Sequence, residues 1–511
     1  MQRLKNTLRN MIWNFSGQFV LIIAGLLMKR VLINTVGIEK IGLNYVFNDI
    51  VSLLSIAELG LTGIIAYHLY EPLERRDQLQ IIKIMRFFRK AYFAIGCVVI
   101  LVGIGIVPFL GFFIKNTASI SYTYIITAFI LFLFRNSVGY FTSYKFILPY
   151  ADQKEFLVIK VDIVTTIVYW LVAYFVIINT HNFLLILFLE IVKKVINDLI
   201  LIGFVNKRYP FIRKMDKVNL ERSEIKKIGL DIRDAFVSKI SIAVISTTDN
   251  ILMSKFLGLG ITGRFSNYTL VLYTVQKILK QIISSAQASM GNLVLTEKKE
   301  VVNSVVNKMT FISFFTVSIC GCCLLQLSTP FVALFFGKNY TLSQIVVLVS
   351  VFNIFLDIMQ LTMVQLSEAQ GLFSRIKKIN LLSCIINVIL SVIGVKTIGI
   401  VGILLGTLIS RAIEYCLRIV LNFKEILPDS SKNYMRKIII YIFIFSAELI
   451  AVQSICYFIN AGNPFVQFAI FTLVAGGVPL IINCVIFRSS EDFKYMLQLI
   501  NYFWHKTKSS V

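Results

Sequence analysis

KAYFAIGCVVILVGIGIVPFLGF, residues 90–112, follows Arg86 and Arg89 and, after Lys90, runs for 22 residues without a charged side chain. A helix rises about 1.5 Å per residue, so a run of this length crosses a hydrocarbon core of roughly 30 Å. A lipid-facing barrel strand would instead alternate apolar and polar residues over about 10 positions. Comparable runs recur along the whole chain of 511 residues, which is 57% hydrophobic and 15% charged, with mean hydropathy +0.79. Soluble domains carry about 25% charged residues, so this shortage of charge excludes a string of soluble domains. The runs predict fourteen spans, at 11–33, 43–69, 90–112, 119–143, 157–179, 183–205, 234–256, 264–293, 306–328, 342–368, 379–396, 399–421, 437–459 and 464–487. The expected fold is an all-α polytopic membrane protein.

The net charge of +24 would suggest nucleic acid in a soluble chain. Its placement argues otherwise. Arg3, Lys5 and Arg9 precede the first span, and Arg75, Arg76, Lys83, Arg86 and Arg89 lie between the second and third. Lys207, Arg208, Arg213, Lys214, Lys226 and Lys227 follow the sixth; Arg375, Lys377 and Lys378 follow the tenth; Lys432, Arg436 and Lys437 precede the thirteenth. The intervening connections hold one or two cations, such as Lys40, Lys115, Lys338 and Lys396, while Lys145 and Lys154 make the fourth-to-fifth connection the weakest of the basic set. Lys and Arg are retained on the cytoplasmic side, so an even number of spans puts both termini in the cytoplasm. The basic excess thus reads as topology and contact with anionic lipid, with no nucleic-acid partner.

The first apolar run follows basic residues but is too long for a signal peptide and lacks a small-residue cleavage site, so it is read as a retained helix. All eight cysteines fall inside predicted spans. Cys320-Gly321-Cys322-Cys323 has no second pair or histidine nearby and reads as small-residue helix packing, not as a disulfide or zinc site. No G-x-x-x-x-G-K-[ST] motif is present. The three histidines, His68, His181 and His505, are scattered. No cofactor, metal or enzymatic activity is expected.

The chain resembles itself at an offset of about 221 residues: Val36-Gly37, Gly42 and Phe47 match Leu257-Gly258, Gly263 and Tyr268. Both copies end an odd-numbered span, turn on glycine and enter the next. Equal parity implies two parallel six-helix lobes, a repeat pattern found among transporters. The expected organisation is an amino-terminal lobe at 1–205, a basic cytoplasmic linker at 206–230, a second lobe at 231–423, and helices 13 and 14 with a cytoplasmic tail at 424–511.

Ionisable groups inside spans are costly and mark cavities or pathways. Asn14, Gln18, Gly25 and Lys29 form a stripe on the first span, with Arg30 beside it. The eighth carries Lys277, Lys280, Gln281, Ser284 and Gln287 on one helical face. Asn353, Asp357, Gln360 and Glu368 align on the tenth, and Thr407, Arg411, Glu414 and Arg418 on the twelfth. Elsewhere lie Asp49 and Glu58, Arg135, and Lys239, Asp249 and Lys255. Snorkelling accounts for Lys29, Arg30 and Lys255 as well as function does. Arg411, Glu414 and Arg418 read as a self-neutralising triad, and Glu190, Lys193, Lys194 and Asp198 as pairs along one helix. Lys277, near the middle of its span with no acid on its own face, reads as cavity lining. Cations outnumber acids, which suits a phosphate-bearing or acidic substrate.

GIEKIGLNYVFNDIVSLLSIAELGLTGIIAYHLYEPL (37–73), TTDNILMSKFLGLGITGRFSNYTLV (247–271), FFGKNYTLSQIVVL (335–348) and GIVGILLGTLIS (399–410) resemble, in order, the motifs of bacterial oligosaccharide flippases. These are the polysaccharide transporters of the multidrug/oligosaccharidyl-lipid/polysaccharide exporter superfamily. The resemblance implies fourteen helices in two lobes around a central cavity, in the bacterial cell membrane. It implies a polyprenyl-pyrophosphate-linked oligosaccharide as substrate, carried from inner to outer leaflet for capsule, exopolysaccharide or wall glycan. Membrane lipids, a glycan polymerase and glycosyltransferases are the implied partners. Arg30 falls where the family commonly has a basic residue, Asp249 matches an acid of its seventh-helix motif, and Arg264 departs from the small or apolar residue usual there. The expected substrate-binding residues are Arg30, Lys29, Lys277, Lys280, Gln281, Arg264 and Arg135, and the candidates for ion coupling are Asp249, Asp357 and Asp49. A drug or cation antiporter of the same superfamily is the alternative; it would favour acids over lysines in its cavity.

The topology is open to direct test. A reporter fused after Lys214 should read as cytoplasmic; an external reading would overturn both the span count and the lobe assignment.

Overall fold

In a computed structural model the chain is helical from end to end of its described residues, which are 2–55, 61–115, 120–152, 154–212, 220, 222–284, 297–425 and 431–508. Glu58, Arg213, Lys214 and Gln287 lie outside them, and so do the side chains of Arg3, Lys5, Arg9, Asn14, Gln18, Lys227 and Lys239. Among the described residues no strand occurs. In hydrocarbon every backbone N–H and C=O must be satisfied within its own segment, and a continuous apolar helix achieves that. Among the described residues nine helices are long and apolar enough to cross a membrane, and they coincide with nine of the fourteen expected spans. The other five expected spans fall wholly or partly on further helices: Gln2–Val36, Ile38–Leu54 with Leu61–Arg75, Phe183–Arg208, Arg222–Leu257 and Leu259–Ser284. The chain is an all-α, multi-pass membrane protein.

It divides into two compact units, Met1–Gly263 and Arg264–Val511. The first holds α1 (Gln2–Val36), α2 (Ile38–Leu54), α3 (Leu61–Arg75), α4 (Gln78–Ile106), α5 (Leu110–Phe113), α6 (Tyr122–Thr142) and α7 (Ile147–Ala151). It continues with α8 (Glu155–Thr180), α9 (Phe183–Arg208), α10 (Arg222–Leu257) and the start of α11 (Leu259–Ser284). Within it α1 lies along α8, α6 and α8 pack on α9, and α2 packs on α10. Its core is apolar and aromatic, with Phe47 edge-on to Phe129 at 5.2 Å. Polar caps close helix ends: Asp77 accepts from the backbone N–H of Gln80 at 3.0 Å and Ser121 from that of Tyr124 at 3.3 Å. At the start of α8 the Asp152 carboxylate pairs with Lys154 and accepts from the Tyr209 hydroxyl at 2.6 Å. Burial, and then this hydrogen bond, hold the Tyr209 phenol well above its ordinary value.

The second unit takes the rest of α11, then α12 (Lys299–Phe335), α13 (Gln344–Met359), α14 (Leu361–Ala369), α15 (Phe373–Ile398) and α16 (Ile400–Glu425). It ends with α17 (Ser431–Tyr457), α18 (Pro464–Phe487) and α19 (Glu491–Lys508). The strongest packing joins α15 to α16, where Gly394 and Gly402 meet backbone to backbone. A Cβ on Gly406 would lie 2.6 Å from the Ser391 nitrogen. Helix α12 packs on α13, α17, α18 and α19. The expected small-residue packing around Cys320–Cys323 is present: Phe445 of α17 seats on Gly321, where a Cβ would lie 2.7 Å from the ring. Read from sequence as a tail, α19 is an amphipathic helix that buries Phe493 and Met496, with Asp492 pairing Lys437 at 2.9 Å.

The internal repeat is written into the backbone. Gly37 and Gly258 carry φ of 90° and 89°, a conformation that only glycine adopts without strain, and each joins one helix directly to the next. Helix boundaries repeat at the same offset, Val36 with Leu257 and Ile38 with Leu259. Phe47 and Tyr268 are both buried to 1% exposure. Within the first unit the two copies touch reciprocally: a Cβ on Gly42 would collide with the Leu259 carbonyl oxygen, and one on Gly263 with that of Ile38. Small residues here allow two helix backbones to approach without side chains between them. Gly42→Ala and Gly263→Ala should therefore each destabilise the protein by about 1–3 kcal/mol, the usual range for overpacking. Gly260→Ala, which meets nothing within 4 Å, should leave the thermal midpoint of the purified protein unchanged.

Candidate functional site

Asp357, on α13, is 7% exposed and two helices supply its partners. From α11, the Lys280 ammonium lies 2.5 Å from its Oδ2, and the Gln276 amide donates to the same oxygen. From α16, Arg411 lies 3.9 Å from Oδ1 and donates to the Asn353 carbonyl oxygen at 2.9 Å. Asn353 in turn donates to the Leu404 carbonyl at 2.9 Å, tying α13 to α16. Two cations therefore face one acid, leaving a net positive charge. Lys280 is not sequestered: its side chain is 42% exposed. Lys277 and Gln281, one step round α11, are exposed outright. The sequence stripe thus divides into a gripping edge, Gln276 and Lys280, and an exposed edge, Lys277 and Gln281. The helix breaks at Gln360, three residues after the carboxylate, and resumes as α14.

The expected triad on α16 is split. Arg418 pairs with Glu414 at 2.9 Å and donates to Asn380 at 2.6 Å, while Arg411 turns to Asp357 and Asn353. The pairs expected along α9 are likewise divided between helices. Lys194 keeps Asp198 at 2.9 Å one turn away, but Lys193 reaches Asp162 on α8 at 2.8 Å and Glu190 takes Arg135 of α6. Arg135 also lies 4.2 Å over the Phe132 ring, and Tyr169 donates to Glu190 at 3.2 Å. Arg135, Tyr169, Glu190, Lys193 and Lys194 line a polar cavity of about 400 Å³ inside the first unit, together with Thr166.

The first unit also gathers two of the three acids considered for ion coupling. Asp49 of α2 is 7% exposed, and Asn48 and Asn250 reach its carboxylate. Asp249 of α10 lies close enough for its charge to act on Asp49. Lys29, buried on α1, donates to the Tyr45 hydroxyl at 3.4 Å and sits 4.9 Å over that ring. Arg30 beside it is exposed, as is Arg264 at the start of α11. Lys255 packs 3.1 Å over the Phe112 ring. Of the expected residues, then, Lys280 and Asp357 meet in the second unit, Asp49 and Asp249 meet in the first, and Arg135 stands apart with Glu190. Gln276 and Glu190 were not singled out from sequence for this role. Gln276 precedes Lys280 by four residues, which is a readable signal, whereas Glu190 finds its partner 55 positions back in the chain.

Removing the carboxylate should cost more than removing the whole pair. Asp357→Asn leaves Lys280 and Arg411 without their acid and should destabilise by roughly 1–3 kcal/mol, below the figure for a fully dry pair because Lys280 is half exposed. Asp357→Asn with Lys280→Gln should recover part of that loss in a double-mutant cycle. Additive losses would mean that the contact carries no energy.

No family model and no curated protein matches the sequence. Solved structures do. The lipid II flippase MurJ in its inward closed conformation superposes with TM-score 0.69 at 13% identity, over 94% of this chain and 99% of its own. An inward-facing multidrug resistance MATE family transporter of the MOP superfamily gives TM-score 0.59 at 13% identity, over 78% of this chain and 94% of its own. A mutant of the Vibrio cholerae MATE transporter VcmN gives 0.57 at 14% identity, over 83% and 98%. At such identities the likeness is one of fold. The chain has the all-α, multi-pass membrane fold shared by the lipid II flippase MurJ and the MATE transporters.

Proposed function

We propose that the protein is a flippase that moves a polyprenyl-pyrophosphate-linked oligosaccharide from the inner to the outer leaflet by alternating access. The observation that carries this reading is the charge balance around Asp357. Two cations serve one acid, Lys280 keeps an exposed face, and Lys277 and Gln281 extend that face along α11. A pyrophosphate and its sugars cannot cross hydrocarbon unaided, while an isoprenoid tail can stay in lipid. Within the second unit Lys277 and Lys280 supply point charges to the phosphates; within the first, Arg30 offers an anion a planar fork of its own. Arg264 and Gln281 are proposed as supporting polar contacts in the second unit, and Lys29 as one beside Arg30 in the first. Arg135, already held by Glu190, is assigned to positioning within its own unit.

Capsule, exopolysaccharide or wall glycan is the proposed destination, in a bacterial cell membrane with both termini cytoplasmic. A glycan polymerase and glycosyltransferases are the proposed companions. The lobe boundaries expected from the repeat are retained with this reading. Asp49 and Asp249 are the preferred coupling site, because two neighbouring carboxylates attract a proton or a monovalent cation. Asp357 is already neutralised by Lys280 and Arg411. The same acid pair favours a second reading, export of a cationic compound.

Losing one charge-assisted contact to phosphate costs about 1.5–3 kcal/mol, a tenfold to hundredfold loss of affinity. Arg30→Ala, Lys277→Ala and Lys280→Ala should each reduce the outer-leaflet fraction of the lipid-linked repeat unit, measured in cells at matched expression. Arg30→Lys should be only partly impaired. Normal translocation by all three alanine variants would overturn the basic-site mechanism, and efflux of cationic dyes abolished by Asp49→Asn would favour the second reading.

A further inference from the structure

Glu448 lies near the middle of α17, among residues that leave it 0% exposed. Helices α12, α16 and α18 pack against α17. From α12, Ser318 reaches the carboxylate, and from α18, Asn483; both are also 0% exposed. The Asn483 amide donates to the Ser318 hydroxyl at 2.9 Å, and that hydroxyl donates to the Phe315 carbonyl at 3.3 Å. The available protons are thus largely committed. Neither carboxylate oxygen accepts a hydrogen bond of ordinary geometry, and the Asn483 carbonyl oxygen is buried without a donor as well. Three buried oxygens in one site are short of a donor.

Among the described residues, no cation acts on the Glu448 carboxylate to make up the difference. Helix α18 carries no charged residue. On α16, Arg411 is directed to Asp357 and Arg418 to Glu414, and Lys424 is exposed in the last turn. Lys437, on the same helix as Glu448, lies 11 residues away, about 16 Å along the axis, and is held by Asp492. The charge of Glu448 acts on the Cys322 thiol of α12, a titratable neighbour that brings no positive charge. One turn before Glu448, Phe445 stacks on Phe355 at 4.5 Å and closes the apolar side. An isolated ionised carboxylate in such surroundings is far costlier than a neutral one.

We propose that Glu448, Ser318 and Asn483 form a proton-binding site inside the membrane span, in which a neutral carboxylic acid holds α17 against α12 and α18. A proton needs no cavity, it supplies the missing donor, and it removes the charge. Withdrawing it to bulk water leaves a bare carboxylate between three helices and loosens their packing. This site is separate from the acids and cations assigned to transport, and its failure would leave that reading standing.

The test uses the full chain, purified in lipid nanodiscs. The wild type should lose thermal midpoint as pH is raised from mildly acidic to alkaline, and Glu448→Gln, a neutral mimic of the acid, should lack that component. Infrared difference spectra should show a carboxylic-acid carbonyl band that Glu448→Gln removes. Should that variant fail to fold, Ser318→Ala, which takes away one partner and keeps the acid, should shift the same band. Superimposable pH profiles, or a band untouched by both substitutions, would overturn the proposal. Sodium that stabilises the wild type but not Glu448→Gln at fixed pH would overturn it too, by showing an alkali cation in the site.

Discussion

A carboxylate buried among membrane helices must be neutralised by something, and the second unit is arranged around the way Asp357 meets that demand. Lys280 and Gln276 bring α11 to it, Arg411 brings α16, and Asn353 secures α13 to α16 through the Leu404 carbonyl. Low dielectric makes each contact strong and makes each omission expensive. Because two cations answer one acid, the cluster is not electrically closed, and Lys280 retains an exposed side. The same residue therefore holds helices together and presents charge outward. That double role gives a transport reading its physical footing: an anion arriving at Lys280 competes with Asp357 for one ammonium group.

The first unit meets the demand differently. Arg135 and Glu190, Lys193 and Asp162, and Lys194 and Asp198 pair off among α6, α8 and α9. Asp49 and Asp249, on α2 and α10, lie close enough for the charge of one to act on the other. Pairing fastens one group of helices, while the two acids of the other group act on each other's charge. The fold sorts charges of similar sequence appearance into fasteners and open sites according to what stands on the neighbouring helix.

That sorting explains what could and could not be read from sequence. Span positions were legible because hydrocarbon thickness sets a length and water sets the ends. The repeat was legible because Gly37 and Gly258 are needed for positive φ and Gly42 and Gly263 for backbone contact, and no other residue does either without strain. The α16 triad was misjudged since spacing along one helix shows which residues share a face, not what lies across it, and across from Arg411 stands Asp357. Glu448 went unremarked for the converse reason: it is a lone acid in an apolar run, and its partners Ser318 and Asn483 are 130 residues before and 35 after it. The amphipathic α19 was passed over because its apolar residues are spaced for one face instead of forming a continuous run.

The central claim is that an anionic, phosphate-bearing head group is recognised by lysines that are only partly neutralised. Binding of a polyprenyl-pyrophosphate-linked sugar to the purified protein in nanodiscs, compared with the same sugar on uncharged polyprenol, tests it most directly. The account predicts binding that requires the pyrophosphate, weakens as salt is raised, and falls at least tenfold in a Lys277→Gln/Lys280→Gln variant. Equal binding of the uncharged glycolipid, or pyrophosphate binding indifferent to both lysines, would contradict it.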